Sequence, residues 1–272
     1  MIYIKTYCYS KHELPFIIAQ LEESKDYVDK LCIYEYNYTH TGQKKEYEIE
    51  KVLDQIPKYL IEKLYYKKVD LTDYNVNSYE DESLCHRINE PIQRNWFYND
   101  ENIILNDYDI ILDIDCDEII YSNKYPLLIK ELMFKKHPLS IKLNQFFFKS
   151  NYLWKDCNFS SPSIYFYGHV KNIRSKIKNL NIKNLRDLPL KTDSIYGCHM
   201  SWVMPIEDMV KKCYKTAHTK FRHLADPSIL KDAIKEKKYI FDLNRPFNIE
   251  ELKYNDVRIP KYLQKENIFD YL

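Results

Sequence analysis

Apolar positions gather early into short runs that alternate with helical spacing. Residues 2–9 read as a strand, and Pro15 then opens a helix with Phe16, Ile17, Ile18 and Leu21 on one face. Residues 29–35 form a second strand, so strand, helix and strand follow within about 35 residues, the length of a βαβ unit with parallel strands. A third strand is predicted at 63–69. Residues 83–102 carry Leu84, Ile88, Ile92 and Trp96 at helical spacing. The run Tyr108-Asp109-Ile110-Ile111-Leu112 reads as a strand buried on both faces. The second half is less regular. Residues 139–149 suit a strand, 151–163 read as an aromatic loop, and Pro205 and Asp226-Pro227 each open a helix. The expected class is α/β, one domain with a mostly parallel central sheet flanked by helices. Residues 1–120 form one half, 121–240 a second, and 241–272 a tail packed on the body.

The buried run ends in Asp113-Ile114-Asp115-Cys116-Asp117-Glu118. Carboxylates this dense cannot all stay ionised in a dry core, so they must meet water, cations or a metal. The carboxyl end of a strand is where open α/β sheets bind ligands. Asp115 and Asp117, two apart, share a side of an extended chain and can grip one hard cation. A solvated acidic turn is the plainer alternative.

Composition narrows the choices. Lys and Arg total 41 against 40 Asp and Glu, so no cationic surplus supports nucleic-acid binding. Only 3 glycines are present, and neither a Walker A loop nor a Rossmann fingerprint can be written. A diphosphate would then be held by metal and side chains. The 7 cysteines are scattered without a C-x-x-C, which points to buried free thiols in a reducing compartment. No apolar run approaches membrane-spanning length, and no leader pattern is seen. The expectation is a soluble cytoplasmic protein of bacterial or viral origin.

Several segments, in order, resemble glycosyltransferase family 17, the group containing the enzyme that adds bisecting N-acetylglucosamine to N-glycans. Val28-Asp29-Lys30-Leu31-Cys32-Ile33-Tyr34-Glu35-Tyr36-Asn37 followed by Thr39-His40-Thr41-Gly42 is similar to its "VDKFVIVESN-x-T-x-TG". Glu90-Pro91-Ile92-Gln93-Arg94 is like its "RE-x-x-x-R", and Asp115-Cys116-Asp117-Glu118-Ile119 like its "DADEI". Gly197-Cys198-His199-Met200-Ser201-Trp202 with Lys212 and His218 resembles "GWHCSW…K…H", and Pro260-Lys261-Tyr262-Leu263 its "PKYL". Cys198 stands where the family has Trp, Ile120 where Pro follows the acidic motif, and His12-Glu13 where "NE" is common.

The resemblance implies a GT-A fold, a UDP-sugar donor, an oligosaccharide or glycoprotein glycan acceptor, Mn²⁺ or Mg²⁺, and inversion at the anomeric carbon. Asp115, Asp117 and His199 are the expected metal ligands, an imidazole favouring Mn²⁺. Glu13, Glu35 and Asn37 are expected at the nucleoside. Arg94 suits the diphosphate by bidentate pairing, or a salt bridge to Glu90 one turn earlier. The general base is expected at Glu118, with Asp193 and Glu207 as rivals and Asp117 beside it. Trp154 and Trp202 either stack on sugars or pack in the core. An inactive carbohydrate-binding module and a metal-dependent phosphodiesterase are the competing functions, and an oligomer is compatible with either.

Overall fold

The computed structural model describes residues 1–74, 82–171, 190–215, 219–239, 241, 245 and 247–264. The first half builds as its pattern dictates. β1 (Ile2–Cys8) leads into α1 (Leu14–Ser24), which has Pro15 in its first turn, and β2 (Lys30–Tyr36) returns parallel beside β1. A single turn, α2 (Lys58–Ile61), precedes β3 (Leu64–Val69), which lies parallel to β2. α3 (Glu82–Asn95) then brings the chain back, and β4 (Ile110–Asp113) lies parallel on the other side of β1. β1, β2 and β4 are buried throughout or nearly so, which explains their unalternating apolar runs.

After β4 the topology changes. β5 (Glu118–Ile120) is followed by α4 (Tyr125–Lys135), β6 (Leu139–Phe147), β7 (Tyr152–Phe159) and β8 (Ser163–Phe166). β9 (Lys191–Ser201), α5 (Ile206–Lys215), α6 (Pro227–Glu236) and β10 (Ile249–Glu251) follow. The strand order is β10-β7-β6-β8-β4-β1-β2-β3, with β9 paired to both β5 and β6. β8 joins β4 antiparallel, and β7, β8 and β10 keep that sense, whereas β9 runs parallel to β6. The sheet is therefore mixed, not mostly parallel. Short hairpin returns through β6, β7 and β8 need no crossover helix, and antiparallel pairing follows from them. The 151–163 segment expected as a loop supplies β7, whose Trp154 packs on Phe147 and Phe247 while Phe159 packs on His199.

One apolar layer packs α1 and α4 against β1, β2, β4 and β6, through Ile17, Leu21, Leu112, Leu128 and Leu143. Leu252, Ile259 and Leu263 near the end of the chain join a cluster with Phe16 of α1 and Met200 of β9. β5 is short, but it ties the acidic segment to β9. Its three residues pair with Gly197, Cys198 and His199 of β9. Glycine is required there because a Cβ at 197 would lie 2.0 Å from the Ile119 carbonyl oxygen and 2.8 Å from Ile120 Cα.

Candidate functional site

A cavity of about 440 Å³ opens where β1 and β4 end, closed on the far side by β6, β7, β9 and α5. That volume lies in the range of small-molecule sites, roughly 300–1,000 Å³. The acidic segment after β4 meets its wall, and each carboxylate has found a different partner. Asp113 is buried against Lys5 Nζ at 2.7 Å, and Lys5 also donates to the Arg94 carbonyl at 2.8 Å. Glu118 is wholly buried and accepts from the Asp115 amide at 2.6 Å. The Glu118 amide donates to the Asp115 carbonyl at 3.0 Å, so the segment is a closed turn and not an extended chain. Gln20 of α1 donates to the carbonyls of both residues and ties the turn to the helix.

This turn separates Asp115 from Asp117. Asp115 accepts from Arg94 Nη1 at 2.7 Å and from Nη2 at 3.4 Å. Arg94 Nε donates to Glu90 one helical turn back at 2.7 Å, and the guanidinium lies over the Tyr7 ring, 4.7 Å from its centre. Asp117 instead faces His199, with Oδ2 3.6 Å from Nε2. Burial pulls the Asp117 pKa up, but adjacent His199 and Lys212 offset this and hold it below its ordinary value. The other His199 ring nitrogen, Nδ1, lies 2.9 Å from Gln145 Oε1, and the ring packs on Phe159 with centroids 3.9 Å apart. With Nδ1 turned to Gln145, Nε2 is the ring nitrogen that faces Asp117, and when it carries no proton it would offer its lone pair to a metal there. The donor set thus fits a divalent cation at Asp117 and His199. Asp115, expected as a third ligand, is engaged by Arg94 instead.

The opposite wall is cationic and aromatic. Asp208, Lys211 and Lys212 of α5 all line the cavity. Asp208 Oδ1 accepts from Lys211 at 2.9 Å, and its Oδ2 lies 3.7 Å from His12 Nδ1. Burial keeps His12 neutral, with its pKa lowered to about 4. Trp154 and Trp202 line the cavity although each is nearly buried, and Trp154 carries the Arg245 guanidinium 4.5 Å from its ring centre. Trp202 has φ 59°, a left-handed conformation rare for a bulky residue. That twist accompanies a ring packed 4.5 Å from Phe241, with Lys212 Nζ 5.3 Å from the Trp202 ring centre.

Glu13, at the start of α1, also reaches the cavity. Its Oε2 accepts from the Tyr9 amide at 2.6 Å and the Ser10 amide at 3.1 Å. Burial raises its pKa to about 7 despite those hydrogen bonds.

Five expected site residues are placed elsewhere. Glu35 is fully buried away from the cavity and accepts from the Glu48 and Ile49 amides, Lys45 Nζ and Tyr66 hydroxyl. Asn37 donates to Asp70 and accepts from the Leu71 amide, bridging the ends of β2 and β3. Both serve the loop after β2, so the nucleoside contacts expected of them are corrected to structural ones. Glu118 lies beneath the turn and out of reach of an acceptor. Its rival Asp193 is exposed and paired with Lys135, and Glu207 is exposed outside the cavity lining. His218 falls outside the described residues.

Sequence reading missed Asp208, Lys211, Gln145, Tyr7 and Tyr9. A signal existed for the first two, since positions 208, 211 and 212 share a helix face behind Pro205. For Gln145 none did, because only the β6–β9 register sets it beside His199. A scan of protein-family models matched none to this chain, and a search of curated proteins returned no match.

Proposed function

We propose that this protein is an inverting, metal-dependent glycosyltransferase that moves a sugar, N-acetylglucosamine or a related hexose, from a UDP-sugar to a glycan hydroxyl. The observation that carries this reading is the meeting of Asp117, His199 and Arg94 on one cavity at the carboxyl ends of β1 and β4. The resemblance to glycosyltransferase family 17 supplies the choice of donor class.

In this reading Asp117 and His199 hold Mn²⁺ or Mg²⁺, which would supply Lewis acidity to the departing UDP. Arg94 presents a guanidinium to the donor diphosphate, and Asp115 with Glu90 fixes its orientation through two sides of the same group. Lys211 and Lys212 add positive charge from the far wall. Inversion joins the acceptor oxygen to the anomeric carbon as the bond to UDP breaks, and the acceptor hydroxyl's proton passes to a carboxylate. Asp208 is assigned that role because it lines the cavity beside a neutral His12. Trp154 and Trp202 offer apolar edges to a sugar ring.

A second reading rests on one observation. Asp115 pairs with Arg94 and leaves Asp117 without a partner carboxylate, which suits a carbohydrate-binding module that has lost turnover. The phosphodiesterase alternative has weaker support, since no Asp/His cluster for paired metals occurs among the described residues.

A panel of UDP-sugars incubated with Mn²⁺ and followed by UDP release separates these readings. Release from at least one donor, lost in Asp117→Ala and with kcat lowered in Asp208→Asn, is expected of the transferase. UDP binding with no release from any donor, with or without glycan acceptors, identifies the module and overturns the proposal.

A further inference from the structure

Behind the Asp115–Asp117 turn lies a second cluster that the proposed reaction does not use. Cys8 ends β1, Cys116 stands between the two aspartates, and Glu13 opens α1. Their two Sγ atoms and a carboxylate oxygen all lie within 4.8 Å of one another. Cys8 is 0% and Cys116 3% exposed, and neither is in a disulfide. The two thiols contact each other, and Cys116 also contacts the Glu13 carboxylate. The carboxylate cannot swing away, because its Oε2 is held by the Tyr9 and Ser10 amides.

A carboxylate locked against two buried thiols is a poor core, since it costs burial of a charge and wins little packing. It is a good ligand set. We propose that Cys8 Sγ, Cys116 Sγ and the Glu13 carboxylate form a binding site for one thiophilic divalent cation of the zinc class, its fourth position facing the cavity. Sulfur ligands 2.3 Å from a tetrahedral ion stand about 3.8 Å apart, so shifts of about 1 Å close the set on a metal. Two sulfurs and one oxygen select Zn²⁺ or Cd²⁺ over Mg²⁺ or Mn²⁺. Entry runs through the cavity, which Cys116 and Glu13 both line.

Binding is balanced by the loss of one proton from each thiol and, near neutral pH, of the proton held by the fraction of Glu13 that is not ionised. The ion replaces one hydrogen on each thiol, forming two metal–sulfur bonds, and Glu13 contributes its carboxylate without redox change. The site uses none of the ligands assigned to the hard cation, so it stands or falls independently of the glycosyltransferase reading.

Cd²⁺ titrated into the fully reduced protein is the probe, read by its ultraviolet sulfur-to-metal charge-transfer band and by proton release. The expected result is saturation at one equivalent, with two protons released at a pH well above the Glu13 pKa of about 7, where that carboxylate is already ionised. The band should be lost in Cys8→Ala and in Cys116→Ala and kept in Cys157→Ala and Cys213→Ala. Glu13→Gln should keep the band and weaken binding by about tenfold or more, loss of a ligand costing at least what loss of an outer-shell partner costs. Absence of the band in wild type, or its persistence in the Cys8 and Cys116 variants, overturns the proposal. Should either variant fail to fold, X-ray absorption at the cadmium edge of the wild-type complex decides. Two sulfur ligands are expected, and any other count refutes the site.

Discussion

Glu35→Gln is the sharpest test of how residues at the strand ends divide between scaffold and site. The change is nearly isosteric, so it opens no cavity. In the wild-type protein Glu35 Oε1 accepts from the Glu48 amide at 2.6 Å, the Ile49 amide at 3.2 Å and Lys45 Nζ at 3.2 Å. Its Oε2 accepts from Tyr66 Oη at 2.7 Å. Side-chain exposure is 0% for Glu35 and 4% for Lys45, so the pair is screened little by solvent. Glutamine turns one acceptor into a donor facing donors and leaves Lys45 uncompensated. Breaking one half of a buried pair costs about 3–5 kcal/mol. For 272 residues the unfolding entropy gives about 2 °C per kcal/mol, and Tm should fall by about 6–10 °C. Differential scanning calorimetry measures the fall, and Lys45→Met alone and combined with Glu35→Gln completes a double-mutant cycle. The double variant should recover part of the loss, since no charge is then stranded. UDP affinity measured below the transition should be unchanged. A Tm within about 2 °C of wild type, well under the 3 kcal/mol floor for a broken buried pair, together with lost UDP binding, would refute the reasoning and return Glu35 to the ligand.

Gly197→Ala should separate β5 from β9, because the new Cβ would meet the Ile119 carbonyl oxygen at 2.0 Å. A loss of at least about 3 kcal/mol, the upper end of overpacking costs, is expected in chemical denaturation, and an unchanged midpoint would contradict the close approach. Asp100 is held below its ordinary pKa: burial pulls it up, but Lys67 with the Tyr65 and Tyr34 hydroxyls and the Asn102 amide offsets this. Its folded pKa is depressed, so the stability it contributes is present above its ordinary 3.8 and is lost as pH falls through the folded value. Asp100→Asn should therefore flatten the acid limb of stability against pH, and an unaltered limb would show that Asp100 does not drive it.

The first half of the chain was legible because local and global signals agree there. Ile2–Cys8, Lys30–Tyr36 and Ile110–Asp113 are buried on both faces, and their continuous apolar runs say so without help from tertiary contacts. Asp226 was readable for a similar reason: its side chain accepts from the Ser228 amide at 2.7 Å, a cap written into Asp-Pro-Ser. β7 was not legible, because Trp154 and Phe159 pack across strands that the sequence does not place together. Asp115 and Asp117 of the acidic segment both line the cavity, but they do not share one face. Treating Asp115 and Asp117 as one extended face ignored the turn closed by the Glu118 amide, and that turn sends one acid to Arg94 and the other to His199. Glu35 shows the converse error: an acid at a strand end resembles a ligand until the loop that wraps it is seen.

The central claim is that Asp117 and His199 anchor a nucleotide diphosphate through a divalent metal. Isothermal titration of UDP into the protein, in Mn²⁺ and again in excess EDTA, tests it most directly. Binding in Mn²⁺, lost in EDTA and lost in Asp117→Ala with Mn²⁺ present, is the predicted result. Equal affinity with and without the chelator, or no UDP binding under either condition, would contradict it.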